Sequence, residues 1–156
     1  MNIGPKGLSI LHHFEKGPNG SFAAMPYDDG VGVMTIGWGH AITKNDTFGY
    51  PINEEMADRI LQLDVMRFER CVLNVTTSLN QDQFDACVCL AFNIGAEAFQ
   101  GSSVARLLRV KDYDHVPQYM KLWNKGKVRG KMVELPGLTR RRNTEAKLFD
   151  TGIVTF

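Results

Sequence analysis

Tyr27-Asp28-Asp29-Gly30-Val31-Gly32-Val33-Met34-Thr35-Ile36-Gly37-Trp38-Gly39-His40 is the stretch on which the reading of this chain turns. It reads as a tight β-hairpin. A Tyr and two Asp lead into Gly-Val-Gly, whose glycines take the positive φ that a sharp reversal demands. The chain resumes in Val33-Met34-Thr35-Ile36, β-branched enough to pair as a returning strand. A carboxylate before such a turn and a hydroxyl on the returning strand can face each other across the ladder.

Working back from the hairpin, residues 5–15 place Leu8, Leu11 and Phe14 at spacing three, the pattern of a short helix with Glu15 near its last turn. Lys16-Gly17-Pro18-Asn19-Gly20 stops that helix. Glu15 can therefore look at the hairpin's carboxylate and hydroxyl together. Two carboxylates and a polar anchor around one cleft suit acid–base cleavage of a glycosidic bond, one acid protonating the leaving oxygen and one base activating water.

The spacing Tyr27-x-Asp29 followed by Thr35-Ile36-Gly37-x-Gly39-His40 closely resembles the active-site hairpin of the phage-type lysozymes, the muramidase endolysins that cut bacterial peptidoglycan. Four further segments resemble that family in its own order: Ser78 to Ala86, Ala91-Phe92-Asn93-Ile94-Gly95, Leu122-Trp123-Asn124, and Leu135 to Arg142. The resemblance covers nearly the whole chain. It implies an α+β, mainly helical, two-lobed fold with a cleft between the lobes, and hydrolysis of the β-1,4 bond from N-acetylmuramic acid to N-acetylglucosamine. It assigns Glu15 as general acid, Asp29 as base or electrostatic stabiliser, and Thr35 as a holder of the attacking water, with Tyr27 in support.

Asp28 competes with Asp29, since both sit at one turn. The family pattern, counted forward from the Tyr and back from the Thr, implies Asp29 both times and leaves Asp28 as a turn residue. To donate a proton near neutral pH, Glu15 needs a partly apolar setting that favours its protonated form. One departure from the family stands out. Thirteen residues separate Glu15 from Asp29 where about eight are usual, and the excess falls in Gly17 to Ser21. Loops absorb insertions cheaply, because closure entropy grows only with the logarithm of length.

The resemblance also implies substrate contacts from Phe92, Asn93, Gly95 and Asn124, and a supporting guanidinium, Arg141, at the family position that pairs with the catalytic Glu. The reading of the residues alone leaves Phe92 equally open as plain core, and Trp123 and Asn124 as core anchors. Arg140 and Arg142 read as exposed charges. His40 reads as a structural histidine bonded within its lobe near the acid. His12, His13 and His115 show no ligand spacing, so neither a metal nor another cofactor is expected.

The chain has 156 residues, 44% apolar and 22% charged, ordinary for a globular protein with a sizeable core. No run of about 18 apolar residues is present. The start, Met1 to Lys6, lacks the basic-then-apolar layout of a signal peptide. Synthesis in the host cytoplasm, action on the wall in the periplasm, release through a separate pore-forming protein and a monomeric state are the matching expectations. Three cysteines, Cys71, Cys87 and Cys89, read as buried free thiols.

Net charge is +1, unevenly spread: residues 121–156 carry nine basic side chains against three acidic ones. That bias points to a polyanionic partner, or to a solvated face without one. A bacterial wall or an anionic outer membrane fits; nucleic acid is not expected. Two alternatives stay open at this point. A lytic transglycosylase needs only one acid, and a non-catalytic binder of wall polymer or nucleic acid needs only the basic region.

Beyond the hairpin, Asn53 caps a helix running to about Asn74, with Ile60, Leu61, Val65, Met66, Phe68 and Val72 as its apolar stripe. The lobe boundaries follow: a sheet lobe over about 16–52, a linking helix over about 53–74, and a helical lobe over about 75–156 joined by the N-terminal helix. Asn80 to Asn93 is apolar nearly all round and reads as the central helix of the second lobe. Short helices are expected over about 102–110, 112–123 and 137–149, with Lys125 to Glu134 as a loop.

Overall fold

Caps and punctuation place the elements of the structure, a computed structural model describing all 156 residues. They run α1 (Pro5–Phe14), β1 (Ala23–Asp28), β2 (Met34–Gly37), β3 (His40–Ala41), α2 (Glu54–Val75), α3 (Gln81–Ile94), α4 (Ala96–Gln100) and α5 (Ser103–Arg109). A 3₁₀ turn (Tyr113–His115) leads into α6 (Val116–Lys121), then β4 (Lys125–Val128), β5 (Lys131–Glu134) and α7 (Pro136–Thr151). The chain divides into two units, Leu11–Met66, and Met1–Ile10 with Arg67–Phe156, so α1 and α2 each contribute residues to both.

Unit Leu11–Met66 is built on an antiparallel sheet in the order β1-β2-β3. Tyr27 pairs with Thr35 and Ala23 with Gly37, and the register slips between the two pairs. Pro26 lies inside that slip and has no N–H to give to a ladder, which accounts for the irregularity. Asn53 Oδ1 accepts the Met56 N–H at 2.8 Å and caps α2. Ile36, Trp38, Ala57, Leu61 and Val65 are buried here. Met66 is not part of that stripe: it is 46% exposed.

In the other unit α3 is the axis. Every residue from Phe84 to Ala91 is buried, as its apolar circumference requires. Asn80 and Gln83 form a reciprocal capping box at its start. Asp85 points the other way along the sequence: its oxygens accept the Gly4 N–H at 2.9 Å and the Gly7 N–H at 3.0 Å. That puts a carboxylate on the N-terminal turn of α1, where it meets the helix dipole. All three cysteines are buried and free.

α7 packs chiefly on α3 and α6. Here the expectation for Arg142 fails. Arg142 is fully buried, its Nε 2.7 Å from Glu145 Oε2, and its Nη1 donates to the Trp123 carbonyl at 3.1 Å. Arg141 Nε donates to Glu145 Oε1 at 3.0 Å, so one buried carboxylate serves two guanidiniums. A run of three arginines looks solvated in a sequence because the compensating glutamate lies one helical turn further on, not beside them. Two other expectations also change. The residues after Gly95 form an extra helix, α4, and Lys125 to Glu134 is an antiparallel hairpin instead of a loop. Arg129 (φ +50°) and Gly130 (φ +80°) make its two-residue turn.

Candidate active site

Glu15 follows the last residue of α1, and its N–H still donates to the Leu11 carbonyl at 2.9 Å. The half-buried side chain is thus set by a continuing helical turn. The longer connection after it closes on itself: Gly17 N–H donates to Ser21 O at 2.7 Å, and Asn19 Oδ1 accepts from Ser21 N–H at 3.1 Å. Both ends of the insertion therefore meet, and β1 begins two residues later at Ala23.

The hairpin's alternation separates the two competing aspartates. Directly opposed residues on an antiparallel pair share a face, and the face changes at each step. Tyr27 opposes Thr35, and Asp28 opposes Met34. Asp29 continues the Tyr27 face at the first turn position, where its N–H donates to Val33 O at 3.0 Å. The turn uses both carboxylates, however. Asp28 Oδ1 accepts from Gly30 and Gly32, and Asp29 Oδ1 accepts from Val31 at 2.9 Å and Val33 at 3.2 Å. Two amide donors on Oδ1 fix the orientation of the Asp29 carboxylate. Thr35 is buried and donates to Val33 O at 3.2 Å.

Tyr27 reports where the charges lie. Its phenol is pushed above the ordinary tyrosine value, first by burial and then by the negative charges of Glu15 and Asp29. One ring on the hairpin face therefore feels both carboxylates. The β2–β3 turn, later in the sequence, approaches Glu15 as well. A Cβ on Gly39 would lie 2.7 Å from Glu15 Oε2, and Gly39 holds φ +77°. Glycine is needed at 39 on both counts, because backbone approaches the carboxylate and the conformation is left-handed.

Two supports brace the site, one not evident in the sequence and one whose partners the sequence did not name. The His12 ring stacks on Trp38 with centroids 4.4 Å apart, and Asp58 Oδ1 takes the Trp38 indole N–H at 2.9 Å and lies 3.2 Å from His12 Nε2. This ties the end of α1 to the β2–β3 turn and to α2, three residues before Glu15. A helix periodicity shows only that His12 is amphipathic, not which ring it meets. His40 lies between Asp64, 2.7 Å from Nδ1, and Asp46, 3.0 Å from Nε2. Burial alone would lower its pKa, but hydrogen bonds to the two carboxylates outweigh that and hold it above the usual histidine value. Asp46 is held below its usual value, first by the Thr43 backbone N–H and then by His40.

The remaining expected site residues belong to the other unit. Phe92 is half-buried, edge-on to Phe68 with centroids 5.3 Å apart. Asn93 is exposed, and Gly95 (φ +97°) has open space where a side chain would stand. Asn124 donates to Thr139 Oγ1 at 3.1 Å and its carbonyl accepts from Leu135, so it joins the start of β4 to α7. Arg141 is held on Glu145 and the Cys89 carbonyl.

Comparison with known proteins places this geometry in context. Residues 19–145 match the family described as Phage lysozyme. An endolysin of Salmonella phage P22 is 37% identical over 153 residues, covering 96% of this chain and 98% of its own. An endolysin of Acyrthosiphon pisum secondary endosymbiont phage 1 is 35% identical, covering 97% and 99%. Among solved structures, an endolysin from Escherichia coli O157:H7 phage FAHEc1 superposes with a TM-score of 0.89 at 30% identity, covering 100% of this chain and 98% of that one.

Proposed function

The chain belongs to the phage lysozyme family, and we propose that Glu15, Asp29 and Thr35 carry its chemistry. It is a lysozyme of the endolysin type, an enzyme that hydrolyses bacterial peptidoglycan and so acts on the cell wall. The bond cut is the β-1,4 link from N-acetylmuramic acid to N-acetylglucosamine, and the whole chain, residues 1–156, serves as one catalytic domain.

Glu15 protonates the glycosidic oxygen, and Asp29, aided by the Thr35 hydroxyl, places water on the opposite face of the sugar. The observation that supports this pairing is the hairpin register, which sets Tyr27 and Thr35 on one face and Asp28 on the other. The pKa of the Tyr27 phenol is raised by burial and by the charges of Glu15 and Asp29. Inversion at the anomeric carbon follows if a water stands between the carboxylates, which takes a separation of ~6.5–9.5 Å. Phe92, Asn93, Gly95 and Asn124 contact sugar, while Tyr27, His40 and Arg141 support the site. The enzyme is made in the host cytoplasm, leaves through a separate pore-forming protein, works as a monomer in the periplasm, and meets the anionic outer membrane with its basic C-terminal region.

Mass spectrometry of muropeptides released from purified sacculi tests the reaction. Reducing N-acetylmuramic ends are expected, with the α-anomer formed first by NMR. Anhydro-muramic ends would replace the hydrolase by a lytic transglycosylase, and a β-anomer formed first would replace inversion by retention.

A further inference from the structure

The β4–β5 hairpin leaves nearly all of its own side chains uncovered. A two-stranded ribbon is marginal by itself in water, yet all but Gly126 of its paired residues are exposed. It bears Lys125, Lys127, Arg129 and Lys131 against a single acid, Glu134, which pairs across from Lys125. Cross-strand pairing assigns the faces. Lys127 opposes Met132 on one, and Val128 opposes Lys131 on the other. Met132 is 61% exposed, Val128 44% and Val133 39%, and Leu122, three residues before β4, is 65% exposed. Met132, Leu122, Tyr119 and Trp123 border a recess of about 390 Å³ with Lys125 at its edge. Both faces of the ribbon thus alternate cation and apolar side chain, and Arg129 stands at its tip.

We propose that this hairpin docks the enzyme on an anionic phospholipid bilayer. The ribbon meets the bilayer tip first, so both of its faces contribute. The cations meet headgroup phosphates, while Val128 and Met132 beside the tip enter the headgroup–acyl boundary, with Val133 and Leu122 behind them. Long basic side chains suit that depth, their stems in the apolar layer and their charges at the phosphates. A wall polymer's carboxylates would satisfy the cations but leave the apolar side chains in water. The combination therefore favours lipid. Burial of Arg141 and Arg142 strengthens the placement, since it withdraws two of the nine C-terminal cations from the surface and leaves the hairpin as the densest exposed group.

Co-sedimentation with vesicles tests it. The parent is expected to bind phosphatidylglycerol–phosphatidylcholine vesicles and to ignore phosphatidylcholine alone. Each basic group near such a surface strengthens binding about fivefold, less screening, so replacing Lys125, Lys127, Arg129 and Lys131 by Gln is expected to weaken it at least ~50-fold. A control with Lys44, Arg59, Arg109 and Lys147 replaced by Gln removes the same charge from exposed sites elsewhere, and is expected to bind within about threefold of the parent. A third protein, Met132→Ser with Val133→Ser, is expected to bind only at low salt. Circular dichroism checks that each variant folds. Equal binding by the hairpin variant, equal loss in the control, salt-resistant binding by the Met132→Ser, Val133→Ser protein, or retention on sacculi but not on vesicles would each overturn the proposal.

Discussion

Gly39 shows how much a single atom can decide. The β2–β3 turn brings its backbone so close to Glu15 that a methyl group would stand 2.7 Å from Oε2. Gly39→Ala therefore has two costs: roughly 1–2 kcal/mol for a non-glycine residue in the left-handed region, and a displaced acid. A misplacement of about 1 Å can lower a rate 10²-fold. Wall-clearing activity is expected to fall about 10²-fold in this variant, with a lower melting temperature; full activity would mean that Glu15 is not the group the turn positions. In the sequence Gly39 was visible as part of a hairpin, but the need for glycine there was not, because it comes from contact with a residue 24 positions earlier. Asp29 was preferred to Asp28 by the family spacing counted from Tyr27 and Thr35, and the observed register sets the two aspartates on different faces, as a strand's period of two requires. The place of Arg142 was not legible, since its partner, Glu145, and its burial come from packing of α7 on α3. Replacing Glu145 by Gln takes the carboxylate away from the fully buried Arg142 and removes one partner of Arg141. Breaking such a pair costs about 3–5 kcal/mol, so the urea midpoint is expected to drop sharply; an unchanged midpoint would show the triad to be replaceable by neutral packing.

At the scale of elements, His40 joins β3 to two other segments, Asp64 on α2 and Asp46 in the loop that Thr43 closes. Its folded pKa lies above the unfolded value, so its contribution to stability is complete below ~6.5 and fades as pH rises through the folded pKa. Asp46 is depressed, so its contribution is complete above ~3.9 and fades as pH falls through its folded pKa. The clamp is therefore strongest between about pH 4 and 6.5. The melting-temperature gap between the parent and a His40→Gln protein is expected to be widest in that window and to narrow above it; a gap independent of pH would remove the ionic account. The sequence suggested a bonded histidine but could not name its partners. The β4–β5 hairpin was missed for a different reason. Its strands are short, rich in Lys and Gly, and exposed on both faces, so they lack the period-two burial signal by which strands are recognised.

For the whole molecule, the mainly helical α+β class could be read from α1, the sheet, α2 and α3, each marked by a cap, a stop or a clear period. What the sequence left out was the closing detail: which carboxylate braces the turn, which arginines are buried, and how the insertion after Glu15 folds. In the structure that insertion is a self-closed turn from Gly17 to Ser21, which ends two residues before β1 begins. Deleting Pro18-Asn19-Gly20 and rejoining the ends is accordingly expected to change activity on sacculi by less than about tenfold; abolition would mean that the turn itself touches substrate. The most direct test of the central claim is the rate of reducing-end release from purified sacculi by folded Glu15→Gln, Asp29→Asn and Asp28→Asn proteins measured side by side. The first two are expected to lose about 10²–10⁴ in rate while Asp28→Asn stays within a few-fold of the parent. An active Asp29→Asn protein, or an Asp28→Asn protein as inactive as Glu15→Gln, would contradict it.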